Sequence, residues 1–367
     1  MYIWERPQWP DFTWETDRLL EPLAATRRKQ GLLLGTLARL GFDLKGEAEL
    51  GALTESAVMS AAIEGETLNR ASVRSSLARR LGIADAATAP SDRRVDGMVD
   101  LLLDATRHHD RQLTAERLFH WHTLLFPAVG RRSRPVSIGA WRTDANGPMQ
   151  VVSGPMGRER VHFQAPPAER VPTEMRRFLD WFAQRSKPEG LLRAGVAHLW
   201  FVTIHPFDDG NGRIARAVAD LALAQSDGVP ERFYAMSSQI RKERADYYDL
   251  LEQTQRGDLD VTDWLVWFLG CLGRAIEGAL AESDGVLTRG GFWQRHAGEP
   301  FTARQRLVLN RALDGFEGTL TARKWAALAK CSIASALRDI NDLLDRGILV
   351  KNPGGSRSTS YRLAAPG

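Results

Sequence analysis

The strongest constraint on the fold comes from residues 191–216, where a long apolar segment leads directly into a loop of small and polar residues. Between 191 and 204 apolar residues recur on all sides of a helix, which is the pattern of a helix buried all round. The sequence HPFDDGNGRIAR follows at 205–216, and a second helical pattern begins within it. Most other segments also have helical periodicity, so we expect a mainly α-helical protein.

The loop after this helix has the residue types that bind phosphate. Gly210 and Gly212 let backbone N–H groups approach an anion closely, and the N-terminus of the following helix attracts negative charge. Arg213 and Arg216 are three residues apart, so they project from neighbouring positions and can hold successive phosphates. The loop therefore predicts a phosphate site.

Two further residues of the loop add chemistry to binding. Asp209 offers the hard oxygen ligand that a phosphate-bound Mg²⁺ requires. His205 has a side chain that can take a proton from an attacking hydroxyl near neutral pH. Together with the phosphate site, they indicate an enzyme that transfers part of a nucleotide to another molecule.

The two commonest phosphate-binding loops do not fit this segment. Gly210, Gly212 and Ala215 formally match the dinucleotide fingerprint, but that fingerprint needs a strand before it, and this segment is helical on both sides. A G-x-x-x-x-G-K-[ST] loop does not occur in the sequence. The phosphate is therefore expected to be held in a less common way.

Residues 205–216 resemble the HxFx(D/E)GNGRxxR signature of the Fic family at each of its fixed positions. Fic proteins are helical enzymes that mostly transfer AMP from ATP to a hydroxyl of a protein side chain and release pyrophosphate. The resemblance implies ATP as donor, Mg²⁺ as cofactor, His205 as the base and Asp209 as the Mg²⁺ ligand. It also implies that the phosphates are held by Gly210, Asn211, Gly212, Arg213 and Arg216.

Two other segments resemble substrate-binding parts of the same family. Residues 138–142 resemble the turn ahead of the family's β-hairpin flap, and 149–163 has two short apolar stretches around a Gly/Pro turn. The resemblance implies a flap that docks the target through Val151, Val152, Ser153, Val161, His162 and Phe163. It also implies adenine contacts from Tyr247, Tyr248 and Gln255, although many members have Asn where Gln255 stands, and the two tyrosines alone also fit a core position.

Residues 60–65, SAAIEG, resemble the inhibitory [S/T]xxxE[G/N] motif of Fic proteins that carry their own inhibitor helix. Ser60 and Glu64 are four residues apart, hence on one helix face, and Gly65 marks the end of the helix. The helix dipole disfavours a carboxylate at that end, so Glu64 gains from a nearby cation. The resemblance implies that this cation is Arg216, in which case Glu64 would occupy the group meant for the γ-phosphate.

Composition and spacing bound the rest of the chain. Apolar residues make up 43% and charged residues 26%, as in globular proteins. We expect an N-terminal helical region at 1–95 that carries the inhibitory helix, a Fic core at 96–283, a linker at 284–301 and a further domain at 302–367. No apolar run approaches the roughly 18 residues of a membrane span, no secretory signal stands at the N-terminus, and Cys271 and Cys331 are interpreted as reduced thiols. A cytoplasmic location without membrane contact is therefore expected.

The segment 302–367 holds 11 basic and 5 acidic side chains, a net charge of +6 that leaves −2 for the rest of the chain. Helices are predicted at 321–329 and 333–346, and two strands around a Pro-Gly-Gly turn follow them. The apolar face of the second helix is predicted to be Ile333, Leu337, Ile340 and Leu344. This order is typical of a winged helix-turn-helix domain.

The charges of this domain divide between two interpretations. Lys351, Arg357 and Arg362 suit a wing that touches DNA backbone, whereas Asp339, Asp342 and Asp345 on the second helix would repel phosphate. DNA binding and a protein-docking or dimerisation role therefore both stay open.

The leading hypothesis is an autoinhibited adenylyltransferase that modifies a Ser, Thr or Tyr hydroxyl of a target protein, and that can also modify itself. One alternative is a DNA-binding regulator whose Fic core senses nucleotide. Another is a de-AMPylase, in which Glu64 positions the water that removes AMP. A homodimer is expected from the resemblance alone.

Overall fold

The computed structural model describes residues 1–38, 42–83, 89–127, 136–145, 147–154, 158, 160–184, 188–313, 318–353 and 359–364, with the backbone alone at 42, 43, 284 and 286–288. The chain divides into two compact units, Met1–Leu280 and Ala281–Gly367. Each unit has a hydrophobic core of its own.

The first unit is mainly helical, as predicted. Its helices are α1 (Thr16–Leu37), α2 (Phe42–Ile63), α3 (Arg70–Leu81), α4 (Arg93–Arg107), α5 (Ala115–Leu125), α6 (Val171–Ala183), α7 (Gly190–Ile204), α8 (Asn211–Asp227), α9 (Met236–Lys242), α10 (Arg244–Gln255) and the first part of α11 (Thr262–Arg295). The strands β1 (Gln150–Ser153) and β2 (Arg160–Gln164) pair antiparallel between α5 and α6. The small hairpin thus lies where the sequence predicted it.

Side-chain caps mark where several of these helices begin. Asp92 accepts hydrogen bonds from the backbone N–H groups of Arg94 and Val95 at the start of α4. Thr114 accepts one from Arg117 at the start of α5. Such bonds satisfy N–H groups that the first helical turn leaves without a partner, so short polar residues determine the helix boundaries.

The helices α7 and α8 lie at the centre of the first unit. Every residue of α7 from Leu191 to Ile204 is buried, which confirms the prediction made from its continuous apolar pattern. Most of α8 is buried as well, although its sequence is mixed. The loop at 205–210 joins these two helices, so packing fixes its position from both sides.

The predicted linker at 284–301 was wrong over most of its length, because α11 stays helical as far as Arg295. The glycines at 285, 290 and 291 suggested a break, since Gly is unfavourable in a helix interior. Burial outweighs this local preference, because Phe292 near the end of α11 belongs to the core of the second unit.

Within the described residues, Thr262–Ser283 of α11 is long and apolar enough to cross a membrane by length and composition alone. The expectation that no segment would reach this length missed it. Half of the segment is buried inside the fold, and Trp264, Phe268 and Leu272 are core residues. This burial is the pattern of a core helix.

The second unit continues from α11 with three helices and a small sheet. They are α12 (Ala303–Leu313), β3 (Leu320–Thr321), α13 (Ala322–Ala329), α14 (Ile333–Asp345), β4 (Leu349–Lys351) and β5 (Ser360–Leu363). The strand order is β3-β5-β4, and both pairs are antiparallel. The order of elements is that of a winged helix-turn-helix, a classification that stays a prediction. Arg357 and the glycines of the predicted wing turn lie outside the described residues.

The predicted apolar face of α14 was wrong in its first half. Ile333 and Leu337 are 53% and 39% exposed, whereas Ala336, Ile340 and Leu343 form the buried face. These three also follow an i, i+4, i+7 spacing, so the sequence allowed either face.

Candidate active site

The loop after α7 holds His205 in an uncommon backbone conformation. His205 caps α7 with a φ of 53°, in the left-handed region that residues other than Gly rarely adopt. Its Nδ1 lies 3.1 Å from the carbonyl oxygen of Val202. That bond assigns the proton of the neutral ring to Nδ1, so Nε2 is the nitrogen that can accept a proton.

The surroundings of His205 favour the neutral imidazole. Burial lowers the pKa of His205 from 6.5 to about 4, and the positive charge of Arg142 acts in the same direction. The hydrogen bond with Val202 and the carboxylates of Glu64 and Asp209 raise the pKa, but by less than burial lowers it. A histidine with so low a pKa is unprotonated at neutral pH, which is the state that a general base needs.

Asn211 gives the loop its shape. Its Oδ1 accepts a hydrogen bond from the backbone N–H of Phe207 at 2.9 Å, and its Nδ2 donates to the carbonyl oxygen of the same residue at 2.7 Å. Because the amide is buried and both of its ends are used, the structure places Asn211 inside the loop. The phosphate contact that the resemblance implied for its side chain stays a prediction.

His122 on α5 supports the loop from the other side, a role that the sequence did not reveal. Its ring is buried and stacks on Phe207, with ring centroids 4.2 Å apart. Nδ1 accepts from the backbone N–H of Gly139 at 3.0 Å, and Nε2 lies 3.1 Å from the carbonyl oxygen of Asp209. Burial lowers the pKa of His122 to about 4, so its two backbone partners meet a neutral ring with one donor and one acceptor.

Arg216 is fully engaged by the end of α2, as the inhibitory motif predicted. Its Nη1 lies 2.8 Å from Oε1 of Glu64, while Nε and Nη2 donate to the hydroxyl and the carbonyl oxygen of Ser60 at 2.9 and 2.8 Å. Although burial alone would lower it, Glu64 holds the pKa of Arg216 above its ordinary value. The predicted brake residues and the predicted phosphate ligand therefore form one cluster.

The carboxylate of Glu64 also covers the N-terminus of α8. A Cβ atom added at Gly212 would lie 2.1 Å from Oε1 of Glu64, so only Gly permits this approach. The helix N-terminus and Arg216 together form an anion site. In this structure a carboxylate of the chain itself lies in that site.

Arg213 has an acidic partner of its own that the sequence did not reveal. Its Nη1 lies 2.8 Å from Oε2 of Glu66, and its Nη2 lies 3.6 Å from Oδ1 of Asp209. The end of α2 explains how both glutamates reach α8. Gly65 has a φ of 80°, and the N–H of Glu66 donates back to the carbonyl oxygen of Ala61, which reverses the chain. The available signal was the Glu-Gly-Glu sequence at 64–66.

Asp209 lies at the edge of the loop with 54% of its side chain exposed. Its Oδ1 accepts from the backbone N–H of Gly210 at 2.6 Å. Among the described residues, no group of three or more His, Cys, Asp or Glu could hold a metal ion. One accessible carboxylate still fits Mg²⁺, which commonly binds through one or two carboxylates and the phosphates of a substrate.

The predicted adenine contacts divide between core and surface. Tyr247 is buried, and its hydroxyl lies 2.9 Å from Nε2 of His198 on α7. Gln255 is buried too, and its Nε2 donates to Thr203 at 3.2 Å. Of the three, only Tyr248 is partly exposed, whereas Tyr247 and Gln255 lie in the core, and the adenine contacts stay a prediction.

The predicted flap residues form the hairpin β1–β2, and a bulge divides their roles. The register shifts between Val151 and Val152, which leaves His162 opposite no single partner residue. Phe163 is buried in the core, whereas Val152 is 47% exposed. Phe163 therefore anchors the hairpin and β1 carries its accessible face.

The hairpin is fastened to α10 by side chains. Nδ1 of His162 lies 2.5 Å from Oε2 of Glu252, and Nε2 lies 2.5 Å from the hydroxyl of Ser153. Arg256 donates to the carbonyl oxygens of Val161 and His162. Among the described residues, these contacts occupy β2 from the α10 side, so an added strand would pair with β1.

Comparison with known families divides the first unit into two segments. The model described as "Fic/DOC family" matches residues 112–223, which include the loop and its supports on α5 and α8. A model described as a domain of unknown function, DUF4172, matches residues 2–83, which include Ser60, Glu64 and Glu66. The site is therefore assembled from both segments.

Curated relatives share part of this chain. A protein adenylyltransferase Fic from Nematostella vectensis is 34% identical over 127 residues, which cover 34% of this chain and 28% of the relative. One from Drosophila willistoni is 27% identical over 205 residues, or 54% of this chain and 36% of the relative. A uridine 5'-monophosphate transferase from Xanthomonas campestris is 30% identical over 133 residues, which cover 32% of this chain and 22% of the relative. The chain thus matches about a third or less of the length of these relatives.

The fold has solved counterparts. A Fic family protein from Desulfovibrio desulfuricans superposes with a TM-score of 0.53 at 22% identity and covers 94% of this chain and 97% of that one. A Fic-domain signalling protein from Bacteroides thetaiotaomicron gives a TM-score of 0.51 at 18% identity, with coverage of 70% and 97%. The signature at 205–216 lies within the matched segment, and the solved structures share the fold, so residues 112–223 of this chain contain a Fic/DOC domain.

Proposed function

We propose that this chain is an autoinhibited protein adenylyltransferase, which transfers AMP from ATP to a Ser, Thr or Tyr hydroxyl of a target protein and can also modify itself. One observation carries the proposal. The loop that holds a neutral histidine, His205, continues into a site at Gly212 and Arg216 that can bind an anion, and the carboxylate of Glu64 lies there. Base and phosphate site are the two parts that nucleotidyl transfer needs.

In the proposed reaction, Nε2 of His205 accepts the proton of the target hydroxyl. The hydroxyl oxygen forms a bond to the α-phosphorus of ATP, and the bond from that phosphorus to the pyrophosphate oxygen breaks. Arg213 and Arg216 would neutralise the charge that develops on the leaving phosphates. Mg²⁺ held by Asp209 would supply further neutralisation when it is bound.

The brake follows from the same contacts. An arginine that is bonded to Glu64 and Ser60 cannot bind a phosphate at the same time, so ATP reaches the resting enzyme without its outer contact. Glu64→Gly removes the carboxylate while it leaves Ser60 and Arg216 in place. We expect transfer to rise on the order of tenfold to a hundredfold, the equivalent of about 1.4 to 2.7 kcal/mol.

The test is transfer of label from α-labelled ATP in the presence of Mg²⁺, with the purified protein alone and with a cell lysate as the source of targets. We expect weak labelling by the wild type and strong labelling by Glu64→Gly. In the double variant Glu64→Gly/His205→Ala we expect a loss of about a thousandfold, since general-base catalysis commonly contributes 10² to 10⁴.

A matched control separates loss of the carboxylate from damage to α2. Glu55 is on the same helix and pairs with Arg70 away from the loop. Glu55→Gly makes the same chemical change and should label as weakly as the wild type. If Glu64→Gly labels no protein, either alone or with the lysate, the proposed transferase activity is refuted. Removal of AMP from a premodified protein that depends on Glu64 would support the de-AMPylase alternative instead.

The donor is proposed to be ATP, and the test includes a second nucleotide. A relative carries the name uridine 5'-monophosphate transferase, so α-labelled UTP is the informative comparison. Labelling of Glu64→Gly that is stronger with UTP than with ATP would overturn the choice of donor while it leaves the reaction class intact.

For the second unit we propose a winged helix-turn-helix that binds DNA. The charge of Asp339 was expected to repel the DNA phosphates, yet this residue is buried and its carboxylate pairs with Arg304 at 3.0 Å. Asp342 pairs with Arg346 at 3.1 Å. The repulsion expected from α14 is thus smaller than the sequence suggested, which favours DNA over the protein-docking alternative.

Salt dependence decides between these partners. Binding of labelled duplex DNA should weaken steeply between 50 and 200 mM salt, because neutralised phosphates release counterions. The double variant Lys351→Gln/Arg362→Gln should weaken it at every salt concentration. Binding that is absent, or insensitive to salt and to these changes, would leave protein docking as the role of this unit.

The cytoplasmic location and the homodimer are proposals as well. Both cysteines are unpaired, which is usual in a reducing compartment. Sedimentation velocity of the purified full chain measures the oligomeric state directly, and a single species at the mass of one chain would rule out a stable dimer.

A further inference from the structure

A buried guanidinium lies between the catalytic loop and the flap. The side chain of Arg142, in the segment just before β1, is inaccessible to solvent. Its Nε donates to the carbonyl oxygen of His205 at 2.8 Å, and its backbone N–H donates to that of Pro206 at 2.9 Å. One residue therefore binds the first two carbonyl groups that follow α7.

These bonds act where the backbone is least favourable. A left-handed conformation is unfavourable for a residue other than Gly, and it persists only when the surroundings impose it. His205 adopts it with a φ of 53°. The backbone conformation of His205 sets the direction of its imidazole. The bonds from Arg142 hold the carbonyl groups of His205 and Pro206, next to that conformation.

The same guanidinium also binds the flap side. Its Nη2 donates to the carbonyl oxygen of Pro166, which follows β2, and its Nη1 lies 3.0 Å from Oδ1 of Asp144. The other oxygen of Asp144 accepts from the backbone N–H of Ala168 at 2.8 Å. The end of β2 and the catalytic turn are thus connected through one planar group.

We propose that Arg142 is a positioning residue, which sets the orientation of the His205 imidazole and the place of the flap relative to it. The proposal rests on the proposed transferase function for its kinetic consequence. This role explains how a target bound along β1 would lie at the right distance from the base at the end of α7, although β1 and α7 are separate parts of the chain.

Shape as well as charge should matter here. A guanidinium presents donors in a rigid fork that can reach three acceptors at once, whereas a lysine offers one compact ammonium group. Arg142→Lys therefore keeps the positive charge near His205 but loses most of the bonds. If Arg142 acted by charge alone, lysine would restore function. If it positions the loop, lysine will not.

The structural readout is the ¹⁵N spectrum of the His205 ring, which needs neither substrate nor activity. In the Glu64→Gly protein we expect a neutral ring with the proton on Nδ1. In Arg142→Lys and Arg142→Gln on that background, the Val202 bond should no longer hold the ring, and the spectrum should show both tautomers in exchange.

The kinetic readout is the split between kcat and KM for ATP. A displacement of about 1 Å can cost on the order of a hundredfold in rate, so we expect kcat of both variants to fall by about a hundredfold. KM for ATP should change by less than about twofold, because the contacts of Arg142 are with the loop and the flap and not with the phosphate site.

Arg193 provides the matched control. It is also buried, and its guanidinium donates to a backbone carbonyl, that of Phe182, at the opposite end of α7 from His205. Arg193→Gln should lower thermal stability without changing the His205 spectrum or kcat. If Arg142→Gln does not fold, the lysine variant carries the test.

The outcomes separate the two claims. An unchanged His205 spectrum together with a kcat within twofold of the parent would overturn the positioning role. So would full rescue by Arg142→Lys. If the spectrum changes as expected while the Glu64→Gly parent itself transfers no nucleotide, the proposed function fails and the positioning role of Arg142 stands.

Discussion

The two ends of the segment 205–216 are held by different kinds of interaction. At the base end, His205, Phe207 and Asp209 are fixed by hydrogen bonds with Val202, Asn211 and His122, which involve neutral groups and backbone atoms. At the phosphate end, Arg213 and Arg216 are held by the carboxylates of Glu66 and Glu64. In the proposed reaction, a phosphate of the substrate competes with the second set of interactions and not with the first.

This difference separates assembly from control. Bonds between buried neutral groups are costly to break, because each group left unsatisfied costs about 1 to 3 kcal/mol. An arginine that is paired with a carboxylate can instead bind another anion, such as a phosphate. In the proposed transferase, the base end is therefore ready before substrate arrives, and the phosphate end is where activity would be regulated.

Among the changes that test this difference between the two ends, the largest effect is expected from breaking the neutral end. Asn211→Ala leaves the N–H and C=O of Phe207 without the bonds that now satisfy them. On the Glu64→Gly background we expect the rate of AMP transfer to fall about a hundredfold and the melting temperature to fall by several degrees. Transfer at the parental rate would show that the amide does not determine the loop.

A second prediction concerns pH. A base must be unprotonated, so activity is present above the pKa of His205 and is lost as the pH falls through it. Because burial lowers that pKa to about 4, the kcat of Glu64→Gly should be level from pH 8 to pH 5.5. A histidine of ordinary pKa would lose about tenfold by pH 5.5, and a loss of that size would contradict the low pKa.

The smallest predicted effect tests the second ion pair. Glu66→Gln removes the charge that pairs with Arg213, but the Glu66 side chain is 46% exposed, and such pairs contribute about 0.2 to 1 kcal/mol. We expect transfer to rise by about twofold in the wild-type background. A rise as large as that of Glu64→Gly would mean that Arg213, and not Arg216, is the controlling group.

Local spacing predicted more of the site than long-range pairing. The run at 205–216, the hairpin and the Ser60–Glu64 pair are each contained in a short segment, so residue types, local spacing and the resemblance to family motifs pointed to them. His122 and Glu66 act on partners 87 and 147 residues away. Such partners follow from the packing of α5 and α2 against the loop, which the sequence of neither segment specifies.

The misplaced predictions share a cause. The glycines of α11 and the apolar face of α14 each depended on which side of a helix the rest of the chain covers. Periodicity identifies a helix and its candidate faces, but tertiary contacts choose among them. Ile333 was assigned to the core because it is apolar, and the smaller Ala336 lies there instead.

The central claim is that Glu64 stands where the terminal phosphate of ATP would bind. Calorimetric titration of ATP and ADP in the presence of Mg²⁺ tests it without turnover, in His205→Ala and in His205→Ala/Glu64→Gly. We predict that the first protein binds the two nucleotides about equally and that the second prefers ATP by about tenfold or more, the value of one charge-assisted contact. An identical preference in both proteins would contradict the claim.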